Sequence, residues 1–146
     1  MYPLLELGPL RLSTGGLLML FAAYLWGWRF ERFAQRWGGA ALAAHAAACS
    51  VPMLLAAAVG GRLWYGLLHF ELYAANLRLF VAPRLAEMAW PGALLGGAAV
   101  GFFWAQRRRA AIAPLADAAA LALPPALALA AVGMLLSGEG FGPATS

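Results

Sequence analysis

The sequence has no lysine, one cysteine and very little charge of either sign. Only 11% of its 146 residues are charged, whereas a soluble domain carries roughly a quarter. So few charges cannot cover a water-facing surface. The same scarcity excludes disorder, because disordered chains are polar and charged. A single cysteine, Cys49, excludes an intrachain disulfide. It follows Ala46, Ala47 and Ala48. That tetrad lies too far from the N-terminus, and lacks the basic segment before it, to be a lipoprotein acceptor site. Cys49 therefore reads as a small buried apolar residue. Metal motifs, phosphate loops and nucleophile triads are also missing, and no cofactor is expected.

What is present is apolar. Hydrophobic residues make up 64% of the chain, and the mean hydropathy is +0.75. These values predict an integral membrane protein with one domain over residues 1–146. All ten basic residues are arginine, and six acids leave a net charge of +4. That excess is too small for a nucleic-acid binder. The arginines sit in clusters between apolar runs, as topology signals do. The residues up to Pro9 carry no basic charge, and no cleavage site follows, so no cleavable signal peptide is expected.

The runs predict an all-α, polytopic transmembrane bundle of about four spans, with an amphipathic or extended segment after the second. The first runs from about Leu10 to Trp28 and is closed by Trp26, Trp28 and Arg29. The second covers about Ala40 to Val59, framed by Gly38-Gly39 and Gly60-Gly61-Arg62. The third goes from Trp90-Pro91 to Trp104 and is short enough to need its flanks. The fourth starts at Pro114, a good first-turn residue, and ends near Leu136. Residues 62–87 repeat apolar side chains at helical spacing, but Glu71, Arg78 and Arg84 make a crossing expensive. That segment reads as a continuation of helix two or as an interfacial helix; the alternative is a fifth span. With four spans, six arginines fall on one side, including Arg107-Arg108-Arg109, which makes that side cytoplasmic and both termini outside.

Small residues are expected to pack these helices closely. Gly92 and Gly96 are four apart on helix three, and helix four repeats Ala at 116, 120, 122, 126 and 130. Pro124-Pro125 should kink helix four. Asp117 falls near the first turn of that helix and near the arginine cluster, where a structural ion pair is expected. His45 and His69 lie 24 residues apart, about 36 Å along one helix. They cannot grip one haem within that helix; a haem or pigment carried by a partner remains the cofactor alternative.

The order of motifs resembles a known family. Leu7-Gly8-Pro9-Leu10-Arg11-Leu12 followed by Gly16-Leu17 is similar to the opening of the bacterial prolipoprotein diacylglyceryl transferases. Gly60-Gly61-Arg62-Leu63-Trp64-Tyr65 resembles their Gly-Gly-Arg…Tyr segment. Trp90-Pro91-Gly92-Ala93-Leu94-Leu95-Gly96-Gly97 resembles their aromatic-His-Gly-Gly segment. Asp117, the Pro124 region and Gly138-Glu139-Gly140-Phe141-Gly142 follow in the family's order. The resemblance covers the whole chain and the N-terminal part of a longer family member, so it reads as a truncated, degenerate member.

That resemblance implies a bacterial inner-membrane protein that binds phosphatidylglycerol and passes its diacylglyceryl group to a lipobox cysteine. It also implies lipid-binding roles for Arg62, Glu139 and Gly142. Several family positions hold inert residues here. Gly15 replaces a Tyr, Pro91 the His, Ala131 an Arg, Met134 and Ser137 two Asn. The reaction needs a base for the thiol and cations for the departing phosphate. Pro91 takes no proton and Ala131 holds no anion. The favoured reading is a non-catalytic, lipid-holding or accessory subunit, with larger membrane proteins as possible partners. The alternatives are an active transferase and a subunit of a haem- or pigment-bearing complex.

Overall fold

The computed structural model describes residues 4–7, 10–71 and 88–137. A two-stranded antiparallel hairpin comes first. Strand β1 is Leu4–Leu7 and β2 is Leu10–Ser13, with Leu4 opposite Ser13 and Leu7 opposite Leu10. Helix α1 follows over Thr14–Leu68, α2 over Trp90–Arg108 and α3 over Ile112–Ser137. The helical class expected from the apolar runs is the one observed, with the hairpin added at its start. The first helix thus begins at Thr14 and not at Leu10, because Leu10–Ser13 pair with β1.

As a straight rod, the 55 residues of α1 would reach about 80 Å. The rod is broken at Gly39, which has φ 68° and ψ −164°. Only glycine occupies that region readily. Gly38 has no room for a side chain either, since a Cβ there would lie 2.6 Å from the Cβ of Leu42. The chain doubles back at this point. A Cβ on Gly27 would sit 3.9 Å from that of Ser50, a residue 23 positions later. Trp26, Phe30 and Ala34 on the first limb share a buried cluster with Leu42, Ala46 and Cys49 on the second. Those pairs are centred on residue 38, as an antiparallel helical hairpin requires.

The second limb continues through Gly60 and Gly61 to Leu68, so helix two does extend beyond the apolar run. The possible fifth span falls in residues 72–87, outside the described residues. Helix α2 runs antiparallel to this limb at backbone contact. A Cβ on Gly60 would lie 3.2 Å from Gly96 Cα, and one on Gly92 or Gly96 would overlap the carbonyls of Gly60 or Ala56. Helix α3 runs antiparallel to the first limb: the Trp26 indole N–H donates to the Ala119 carbonyl at 3.1 Å, and Gly133 abuts Leu18 and Gly15. The α2–α3 turn is made by Arg109 in the left-handed region, φ 52°.

Four antiparallel rods result. Phe30, Ala46, Ala105 and Leu115 form one buried layer that contains all four. By length and composition α1, over Gly15–Leu68, and α3, over Ile112–Leu136, are apolar enough to cross a membrane, while α2 alone is not. The expected start of the fourth helix at Pro114 is two residues late, because Ile112 already opens the helix. Asp117 therefore sits beyond the first turn. It is exposed, with no ion pair among the described residues. The expected Asp117–Arg pair is not formed.

Gly96→Ala and Gly97→Ala separate backbone contact from ordinary packing. A Cβ on Gly97 meets Met53 O at 3.4 Å, which is van der Waals contact, whereas one on Gly96 strikes the backbone. Thermal unfolding in detergent should show Gly96→Ala destabilised by about 1–3 kcal/mol, as overpacking costs, and Gly97→Ala close to the parent.

Candidate lipid cleft and the family positions

The limbs of α1 hold α2 and α3 apart. Each packs along α1, but α2 and α3 make few contacts with one another. Between them lies a cavity of about 680 Å³. Its floor is α1, through Met19, Ala22, Trp26, Phe30 and Met53. Its walls are Ala93, Gly97, Gly101 and Phe102 of α2 and Leu115, Ala119, Leu123 and Leu127 of α3. Along α3 the lining extends from Ile112 to Ala130, about 27 Å at the helical rise. Among the described residues that line it none is acidic, basic or hydroxylated.

This cleft corrects the expectation of a tight bundle throughout. Ala118 and Ala122 are buried in the core, but Ala116, Ala120 and Ala130 line the cleft, and Ala126 does both. The small residues do bring α2 onto α1. On α3 they leave room that the partner helix does not fill. Helix α3 also runs on through Pro124 and Pro125. Each ring removes a helical N–H, which leaves the carbonyls of Ala120 and Leu121 without their usual donors. Just one residue earlier, Trp26 donates to Ala119 O.

At one end of the bundle the motif segments meet. Ala89 N–H donates to the Gly61 carbonyl at 3.0 Å, which clamps the start of α2 beside Arg62. Gly92 seats on Gly60 and Trp64. Arg62 is half-buried and is not without a partner. Pro91 occupies the first turn of α2, half-buried. At the same end Gly15 is buried, and a Cβ on Gly133 would lie 3.3 Å from its carbonyl oxygen. Tyr65 and His69 stack at 4.2 Å one turn further along α1.

A family model for prolipoprotein diacylglyceryl transferase matches residues 3–146. The chain belongs to that family. No curated protein matches it. The clamped Gly60-Gly61-Arg62 and Trp90-Pro91-Gly92 segments are the stretches whose motifs resemble the family's. The positions at which the resemblance leads one to expect polar groups lie at the same end: Gly15, Pro91 and, on the last turns of α3, exposed Ala131 and half-buried Met134. Asp117 does not join them; it lies at the other end of α3. Glu139 and Gly142 lie outside the described residues.

His45 and His69 sit on one limb, toward opposite ends of the bundle, so the separation expected from helical rise holds. Among the described residues no three His, Cys, Asp or Glu side chains converge on a metal position. The sequence reading missed the cleft. Its only sequence signal is the run of Ala and Gly on α2 and α3, which a closed interface would share.

Trp26 ties the floor of the cleft to α3. Trp26→Phe keeps the ring and removes the N–H, so unfolding in detergent should show a loss of about 0.5–1.5 kcal/mol. A Trp26→Ala variant, which also empties a buried site, should lose about 3–5 kcal/mol.

Proposed function

We propose that this protein is a non-catalytic, lipid-holding member of the transferase family, acting as an accessory subunit of a membrane complex. The observation that carries the reading is the cleft between α2 and α3: its described lining is apolar, and Gly15, Pro91, Ala131 and Met134 at its motif end carry no titratable proton. A cavity of about 680 Å³ falls in the range of small-molecule sites, about 300–1,000 Å³. Its length along α3 is close to the ~30 Å hydrocarbon thickness. Acyl chains match both its shape and its lining, and phosphatidylglycerol is the lipid that the family relationship points to. Arg62, next to the clamped start of α2, is the cation at the end where a headgroup would emerge.

Binding of this kind does not amount to transfer. A thiol must lose its proton before it attacks a glyceryl carbon, and the phosphate must leave with its charge balanced. Pro91 and Ala131 supply neither function. The four rods read as four spans with both ends of the described chain on the outer side. Uncharged stretches on α2, 90–106, and α3, 118–137, span about 24 and 29 Å, which matches a hydrocarbon core. The six arginines at the opposite end support a cytoplasmic location for that end. Larger membrane proteins are the natural partners of such a subunit.

Purified protein given labelled phosphatidylglycerol and a lipobox peptide should yield no thioether product. Turnover would replace this reading with an active transferase. Mass spectrometry of the protein in mild detergent should find retained phospholipid, and Ala98→Phe, which fills the cleft from α2, should reduce it several-fold. A chain that carries no lipid would refute the lipid-holding role.

A further inference from the structure

The end of the bundle opposite Arg62 carries a strong excess of positive charge. Arg29, Arg32 and Arg36 lie on the first limb of α1, and Arg107, Arg108 and Arg109 close α2. The acids described at this end are Glu31 and Asp117, both exposed. None of the six guanidiniums has a carboxylate within ion-pair distance among the described residues. Four of them, Arg29, Arg32, Arg36 and Arg108, lie against aromatic rings. Arg32 is 5.2 Å from the Trp28 ring and Arg108 is 5.3 Å from that of Trp104. Arg29 and Arg36 both approach one ring, Phe33, at 5.1 and 5.9 Å. Phe33 itself packs on the core and stacks on Trp37 at 5.7 Å.

Two like charges near one ring repel each other, and an anion held by both would offset that repulsion. Their distances to Phe33 keep the two guanidinium carbons within about 11 Å of each other. Cation–π contact leaves the edge N–H groups of each guanidinium free to donate. One donor is stranded outright: Arg29 Nε is buried with no acceptor among the described residues. The Trp104 indole N–H, beside Arg108, is in the same condition. Buried donors normally find partners. These two lie near the buried layer of Phe30 and Ala105, where the uncharged part of the bundle ends and where phosphate groups of a bilayer would sit.

We propose that the Arg29–Phe33–Arg36 face of α1 binds the phosphate of an acidic phospholipid, at the opposite end of the bundle from Arg62. The bidentate guanidinium fork suits a phosphate. A lipid provides that phosphate at the right height, with acyl chains running back along the exposed apolar surface of α1. The site is separate from the α2–α3 cleft and takes a lipid from the other leaflet.

The test uses the full chain in nanodiscs of equimolar phosphatidylserine and phosphatidylcholine with identical acyl chains, followed by native mass spectrometry of the lipid it retains. The parent should retain phosphatidylserine preferentially. The R29Q/R36Q double variant should lose that preference about tenfold, while R62Q keeps it. Ala98→Phe should lower the total lipid but keep the preference, so failure of the cleft reading and failure of this one are distinguishable. A preference unchanged in the double variant, or none in the parent, overturns the proposal. Inorganic phosphate that abolishes the preference, or binds with no lipid present, would make this a free-anion site and overturn the assignment to lipid. Should the double variant not fold, the parent decides: the preference must fall as salt rises, and insensitivity to salt overturns it.

Discussion

The reversal of α1 at Gly39 is the constraint on which the other contacts rest. A backbone with φ 68° and ψ −164° turns a single long helix into two antiparallel limbs. Once the limbs are paired, each offers one flank to a further helix. The second limb takes α2 through glycine contacts, and the first takes α3 through Trp26 and the Gly15–Gly133 approach. The buried cluster is made of what the reversal brings together: Trp26, Phe30 and Ala34 against Leu42, Ala46 and Cys49. Trp26 and Phe30 stack at 5.1 Å within it, and most other members are alanines. Small side chains suit a bundle in lipid, where close approach of backbones replaces hydrophobic drive.

The same constraint leaves the cleft. Helices α2 and α3 are joined by the short turn around Arg109, yet each is committed to a different limb of α1. They meet near that turn and part along their lengths. The space between is lined by Ala, Gly, Leu, Met and aromatic side chains, so its described surface is apolar. The glycines that clamp α2 to α1 lie beside Arg62, and Pro91, Ala131 and Met134 at the same end carry no ionisable side chain.

Charge divides the molecule lengthwise. Described arginines of the helices gather at the α1 tip and the α2–α3 turn, with Arg62 alone at the far end. Between these levels α2 and α3 carry no ionised side chain. Aromatic rings receive Arg29, Arg32, Arg36 and Arg108 where described carboxylates are scarce.

The sequence by itself determined the helical class, the membrane character, the break at Gly38-Gly39, the start of α2 at Trp90 and the family. Each is written in local composition or in motif order, which need no knowledge of partners in space. It did not disclose the hairpin at Leu4–Ser13, because two four-residue apolar stretches look like the start of a span. It placed Asp117 in an ion pair that the structure does not contain, because nearness along the chain says nothing of where an exposed carboxylate points. Only the tertiary structure decided which Ala and Gly faces touch. A small residue permits close packing and permits a void equally well, and the choice between them is made by where the neighbouring helix is anchored.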